Sequence, residues 1–413
     1  MHKYKLISKK GEGTFSDVIK AQNIQTGRLV AIKRMKARFD SVEHVNNLRE
    51  IQALRRLSTN PNIIKLHEVI FDRAAGRLSL VFELMDMNIY ELIRGRKHYL
   101  PENKIKLYMY QLLCAIHAIH HGGIFHRDVK PENILITGDQ LRLADFGSCR
   151  GVFSKPPFTE YISTRWYRAP ECLLTDGWYN HKMDLWAVGC VFFEIMALYP
   201  LFPGTHEVDQ VRKIHDVLGT PPQDLLMRMK RHSHSQHIDF NFPHKQGCGI
   251  PKLLPHATSD CLDLLTKLLT YNPDMRISAK QALAHPYFSD VRAVLHTPRG
   301  IVSEPAPHSS ERTGSSSSSI TTRTSPRMPS LISKKGGSKK KDEKKKDRHS
   351  TTILPSTHST SPTIKHGSKK TIFGHSHALP SLSSTSTKTK KSGVASGGFV
   401  ALPALGSMKS GDR

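Results

Sequence analysis

The sequence predicts an α+β chain in two unequal lobes, a small β-rich one and a larger helical one, followed by a disordered basic tail. Three observations carry that reading. Over residues 4–83 apolar side chains recur with period two between turn signals such as "TG" and "AAG". From about residue 89 the recurrence becomes helical. Near residue 290 the text changes to "SSERTGSSSSSITTRTSPR" and "SKKGGSKKKDEKKKDRHS". Such composition cannot bury enough apolar surface to offset the entropy of ordering the chain.

Within the first lobe, residues 1–83, five segments read as strands: "YKLISKKGEG", "FSDVIKAQN", "RLVAIKRM", "IIKLHEVIFD" and "RLSLVFEL". One helix interrupts them. "SVEHVNNLREIQALRRL" places Val42, Val45, Leu48, Ile51 (or Gln52) and Leu54 on one face, with Ser41 as its cap. The second lobe, residues 84–289, reads as helices at "NIYELIRGR", "ENKIKLYMYQLLCAIHAIHHGG", "KMDLWAVGCVFFEIMALYP", "SDCLDLLTKLLT" and "AKQALAHPYF". The tail is 290–413, and no repeat of solenoid period occurs.

Charge is uneven. The whole chain carries 61 Lys plus Arg against 35 Asp plus Glu. The tail holds 22 basic and 7 acidic residues, so +15 of the net +26 lies there. That favours acidic partners for the tail, or a nuclear localisation signal at "KKGGSKKKDEKKKDR". With Phe373 and Phe399 as its only aromatics, the tail offers no stacking platform for reading nucleic-acid sequence. A run of this kind is more often a solvated linker. The six cysteines show no CxxC or CxC pairing, which fits reduced thiols and no zinc site. "MHKYKLISKK" lacks the apolar run of a signal peptide, and no window approaches a membrane span of roughly twenty apolar residues. A soluble cytoplasmic or nuclear protein is expected.

Chemistry is carried by four short motifs. In "GEGTFSDV", Gly11 and Gly13 would let backbone N–H groups approach phosphates, although two glycines near a turn occur in many hairpins. In "VAIK", Lys33 sits inside an apolar strand and needs a partner, for which Glu50 on the next helix is the natural candidate. Taken alone, Lys33 reads better as a surface lysine on an edge strand. "FHRDVKPENILI" changes the balance. Asp128 can accept a hydroxyl proton, Lys130 can neutralise a transferred phosphoryl group, and Asn133 can ligate a metal. Twelve residues after Asn133, "ADFGSCR" supplies Asp145, a second metal-ligating group.

With "APE" at 169–171, these motifs stand in the order and spacing of the eukaryotic protein kinases, which residues 4–288 resemble as a whole. "HRDVKPEN" is similar to the Ser/Thr type. "TRWYRAPE", "DLWAVGC" and "LFPG…DQ…IHDVLGTP" resemble the cyclin-dependent and MAP-kinase branch, whose insert 203–256 matches. "VNNLREIQALRRL" and "LMDMNIYELIRGR" resemble the group of the male-germ-cell-associated kinases within it. Ser16 stands where most kinases have a third loop glycine, a feature this group shares.

The resemblance implies a bilobal kinase fold with ATP between the lobes and Mg²⁺ held by Asn133 and Asp145. Lys33, held by Glu50, would contact the α/β-phosphates, and Asp128 would deprotonate the substrate hydroxyl beside Lys130. Gly11, Glu12, Gly13, Val18 and Ala31 would line the nucleotide site, with Phe82 as gatekeeper and Glu83 to Met85 as the adenine-binding hinge. Asp184 would tie down the catalytic loop and Glu171 would pair with Arg276. The activation segment, 145–171, contains "TEY". Phosphate on Thr159 would draw Arg49, Arg127 and Arg150, and phosphate on Tyr161 would draw Arg165 and Arg168. Alternatively, Glu160 satisfies some of these arginines and the enzyme is always on.

The implied partners are protein substrates with Ser or Thr followed by proline, and an upstream activating kinase. Ser325-Pro326, Ser361-Pro362 and Thr297-Pro298 in the tail fit such specificity. A monomer is expected, with the cilium or flagellum as a further location. The alternative is a pseudokinase scaffold acting through its basic tail, although no catalytic residue is missing.

Overall fold

The computed structural model describes residues 2–159, 164–233, 239–296 and 400–402. The first lobe is built on strands β1 (Tyr4–Glu12), β2 (Ser16–Asn23), β3 (Leu29–Arg38), β4 (Leu66–Asp72) and β5 (Arg77–Glu83). They pair antiparallel in the order β1-β2-β3-β5-β4. Alternation along β3 explains what the sheet does. Val30 and Ile32 join Ala21, Ile70 and Val81 in a small separate core. Ala31 and Lys33 therefore face the other way, into the cleft.

The expected single helix over residues 41–57 is two. Helix α1 spans Val42–Asn46 and α2 spans Arg49–Arg56. Between them Leu48 is extended, with φ −63° and ψ 126°. Two consecutive asparagines, poor helix interiors, precede the break, and Asn46 accepts a hydrogen bond from Arg55 across it (3.1 Å). Ser41 does cap α1, accepting from the His44 N–H at 3.1 Å. Val45, Ile51 and Leu54 are buried as the pattern requires.

The second lobe packs α3 (Ile89–Ile93), α4 (Glu102–His121), α5 (Pro170–Leu174) and α6 (Lys182–Ala197), then α7 (Glu207–Leu218), α8 (Gln223–Lys230) and α9 (Ile250–Leu253). Helices α10 (Ser259–Leu268), α11 (Ala279–Leu283) and α12 (Ser289–His296) complete it. Helix α4 buries Ile105, Met109, Leu112, Ile116 and Ile119, a stripe at helical spacing. Helix α6 is buried on nearly all sides. A Cβ at Gly189 would stand 2.9 Å from Leu269, so glycine is what lets α6 and α10 approach. Short strands fill the lobe boundary: β6 (Met87–Asn88), β7 (Ile124–Phe125), β8 (Ile134–Thr137), β9 (Gln140–Leu143) and β10 (Arg150–Gly151).

The expectation of disorder from residue 290 is corrected at two places, the first being α12, which extends to His296. Its anchors are tertiary. Asp290 meets Lys106 at 3.0 Å, and Arg292 donates to the carbonyls of Leu283 and His285, each at 2.8 Å. Val400–Leu402 forms β11, antiparallel to the outer edge of β4. The rest of the tail lies outside the described residues.

Candidate active site

A cleft of about 590 Å³ is lined by the Gly-rich loop, β3, the end of β5 and the segments around Asn133 and Asp145. Lys33 lies opposite Val18 on β2 and Leu80 on β5. Its Nζ reaches Glu50 Oε1 at 2.7 Å and Asp145 Oδ1 at 2.9 Å. Burial works to lower the lysine's pKa, but the two carboxylates outweigh it and keep the ammonium protonated. Burial likewise works to raise Asp145, and the Lys33 charge and hydrogen bond hold it below the usual range. In the loop, the Gly13 N–H donates to the Ser16 carbonyl at 2.9 Å. A Cβ on Gly13 would stand 3.4 Å from that oxygen, an ordinary contact. Gly11 has open space at its Cβ position. Glu12 pairs outward with Lys9 (2.6 Å) and Lys36 (3.4 Å). Ala31 stands across the ladder from Phe82. Glu83 and Met85 follow on the cleft wall.

The loop that carries Asp128 is held from beneath. Buried Asp184 accepts the His126 N–H at 2.8 Å and the Arg127 N–H at 2.9 Å, and meets His120 Nε2 at 2.8 Å. This supports Arg127 in a left-handed conformation, φ 72°. Lys130 Nζ then lies 2.9 Å from Asp128 Oδ2. Asn133 Nδ2 donates to the Asp128 carbonyl at 2.8 Å and to its Oδ2 at 2.9 Å. Asp128 Oδ1 is buried, with no hydrogen-bond partner among the described residues. Asp145 is also left-handed, φ 65°, and the ring of Phe146 beside it is buried edge-on to His126 at 4.9 Å. The amide oxygen of Asn133 and the second oxygen of Asp145 suit a hard cation that completes its shell with phosphate oxygens. Among the described residues no group of three or more His, Cys, Asp or Glu forms a self-sufficient cage.

Of the expected phosphate-binding arginines, Arg127 donates to the Ser148 and Thr159 carbonyls (3.1 and 3.2 Å) and to the Tyr179 hydroxyl (2.6 Å). Arg150 donates to the Cys149 carbonyl at 3.0 Å. Burial, then the charges of Arg127 and Arg49, lower its pKa. The charges of Arg127 and Arg49 thus act on Arg150. Arg165 donates to the Thr205 carbonyl at 3.1 Å, and Arg168 meets Glu207 at 3.4 Å. Thr159 is exposed, and Tyr161 lies outside the described residues. Glu171 and Arg276 pair twice, at 2.6 and 2.9 Å, in the core. Sequence reasoning missed His120, Tyr179 and Arg142. The "HAIHH" spacing in α4 reads only as helix, and nothing local marks the others.

Fold and cleft together define a protein kinase. The protein kinase domain family matches residues 4–288, and the chain belongs to that family. MAPK/MAK/MRK overlapping kinase of Homo sapiens is 62% identical over 292 residues, 71% of this chain and 69% of that protein. Serine/threonine-protein kinase MAK of Mus musculus is 42% identical over 325 residues, 76% of this chain and 51% of that protein. Serine/threonine-protein kinase ICK of Mus musculus is 43% identical over 305 residues, 74% and 47% respectively. The chain is a serine/threonine protein kinase of this type, using ATP and a divalent metal. No helix among the described residues is long and apolar enough to cross a membrane.

Proposed function

We propose that this kinase transfers the γ-phosphoryl group of Mg²⁺-ATP to Ser or Thr followed by proline, under control of phosphorylation at Thr159 and Tyr161. The observation that carries the catalytic part is Asp128. One carboxylate oxygen is fixed by Lys130 and Asn133, and the other is buried and unpartnered. A substrate hydroxyl that reaches this carboxylate from the cleft would pass its proton to Asp128 as the hydroxyl oxygen attacks phosphorus and ADP leaves. Lys130 neutralises charge on the transferred group, and Lys33 holds the α/β-phosphates. Mg²⁺, held by Asn133 and Asp145, would neutralise charge developing on the phosphates.

The regulatory part rests on Arg127, which donates to the Thr159 carbonyl at 3.2 Å, and on the charges of Arg127 and Arg49 acting on Arg150. A phosphate carries about two negative charges and would relieve that repulsion. Arg49 is the neighbour of Glu50, so the same event stabilises the Lys33–Glu50 pair. We place the enzyme in the cytoplasm, with nucleus and cilium as locations to be tested by imaging the intact chain against a 290–413 deletion.

The test is a phosphopeptide map after incubation with Mg²⁺ and ATP, wild type beside Lys33→Met, with transfer to a Ser-Pro peptide measured alongside. Wild type should phosphorylate the peptide and Lys33→Met should not. Thr159→Ala and Tyr161→Phe should each lower turnover about tenfold or more, the effect of losing charge-assisted contacts worth about 1.5–3 kcal/mol. Full activity in both single variants would sink the regulatory reading. Equal transfer to Ser-Ala and Ser-Pro peptides would sink proline direction.

A further inference from the structure

We infer that Arg142 is a positioning residue for nucleotide binding, acting through the side chain of Glu83 as a clamp on the hinge. The inference rests on Glu83 to Met85 being that hinge. Glu83 closes β5 next to Phe82. Its Oε1 accepts the Lys65 N–H at 2.8 Å and meets Arg142 Nε at 3.2 Å. Its own N–H donates to the Lys65 carbonyl at 3.1 Å. Arg142 belongs to β9, three residues before Asp145. Its Nη1 donates to the Pro61 carbonyl and its Nη2 to Gln140 Oε1 at 3.3 Å.

One guanidinium therefore ties three segments together: the hinge, the loop between α2 and β4, and the strand that delivers Asp145. Backbone bonds reinforce the junction. The Leu143 N–H donates to the Asn62 carbonyl at 2.8 Å, and the Ile64 N–H to the Leu143 carbonyl at 3.0 Å. The two charged side chains are mostly sheltered, 17% and 18% exposed, so screening by salt is weaker than for a surface pair. Arginine suits the place because its planar fork can serve carboxylate, carbonyl and amide at once, whereas an ammonium is a point charge.

The consequence is for binding rather than for the chemical step. Adenine has to meet the hinge backbone while the phosphates meet Lys33 and Asp145. Loosening the hinge lowers the fraction of molecules in which both distances are right, and apparent affinity falls by that fraction. Once the nucleotide is bound, Asp128 and Lys130 are unaffected, because Asp184 and Asn133 hold them.

The experiment is steady-state kinetics on the full chain, with ADP binding by calorimetry as a readout that needs no turnover. Arg142→Ala should raise both the ATP KM and the ADP Kd about tenfold, with kcat within about twofold. Arg142→Lys should give an intermediate rise. Glu83→Gln, a change within the proposed hinge itself that keeps one acceptor oxygen, should raise the ADP Kd in the same direction by less, and the double variant should be no worse than Arg142→Ala. An unchanged ADP Kd in Arg142→Ala overturns the clamp, as does a fall in kcat equal to the rise in KM, or additive effects in the double variant. If Arg142→Ala melts early, Arg142→Lys and Glu83→Gln carry the same test. Wild type that binds no ADP would refute the hinge itself, a result distinct from a clamp that makes no difference.

Discussion

Asp128 and Asp184 sit at the two faces of one short loop, and they are finished differently. Asp184 is fully buried, and three donors or ring nitrogens occupy its oxygens. Burial works to raise its carboxyl, but the hydrogen bond and charge of His120, then His126 and the Arg127 N–H, hold it below the usual carboxylate range. Asp128 is nearly as sheltered, yet Oδ2 has two donors and Oδ1 has none. A structural carboxylate has its acceptor capacity filled by the protein. Asp128, the base in the proposed function, has one oxygen that the described residues leave unmet, and an unmet buried acceptor costs about 1–3 kcal/mol. That cost is sustained by the saturated neighbour beneath it.

The largest expected effect comes from replacing Asp128. Asp128→Asn preserves shape and leaves Asp184 untouched, but it cannot take a proton. Transfer should fall by about three to four orders of magnitude, the upper range for a lost general base. Thermal unfolding should stay where it was. A substantial fall in melting temperature would mean that Asp128 is structural after all and would break the comparison. Next is Asp184→Asn, which keeps one acceptor oxygen and turns the other into a donor facing N–H groups. Urea denaturation should show a loss of about 3 kcal/mol, the penalty for stranding buried donors and losing a charge-assisted bond. Equal stability with lost activity would show that the two aspartates do not divide the work as their partners suggest.

Much of this division was legible before the fold was known, and for a physical reason. Asp128, Lys130 and Asn133 lie within six residues, so a single loop conformation brings them together and spacing alone exposes them. Glu50 was legible because a lysine within an apolar strand demands counter-charge, and Asp145 because it follows Asn133 by twelve residues as a second metal-ligating group; its ion pair with Lys33 was not legible. The break at Asn47 and Leu48 was not, because apolar periodicity continues across it while two asparagines interrupt the backbone. Arg142 and Tyr179 were not legible either. Each meets its partner only through tertiary contacts, from a strand or loop that reads as ordinary. The same holds for α12, whose order depends on Lys106 and on carbonyls of the preceding turn rather than on its own composition.

A third acid extends the comparison to fewer donors. Glu194 on α6 is buried with one strong donor, the Tyr167 hydroxyl at 2.7 Å. Burial dominates and pushes its carboxyl up to about 7, with the Tyr167 bond working against it. The sign follows from linkage. The unfolded chain ionises this group near 4.5 and the native state near 7. Between those values the native state binds more protons, so stability falls as pH rises. From pH 5 to pH 8 this group alone should remove about 2 kcal/mol, allowing about 1.4 kcal/mol for each pH unit inside the window. Glu194→Gln keeps an oxygen for Tyr167 and cannot ionise. Its urea stability should therefore match wild type near pH 5 and exceed it near pH 8. Parallel pH profiles for the two proteins would show that Glu194 ionises freely in the core. Donor number would then fail as the rule separating it from Asp184.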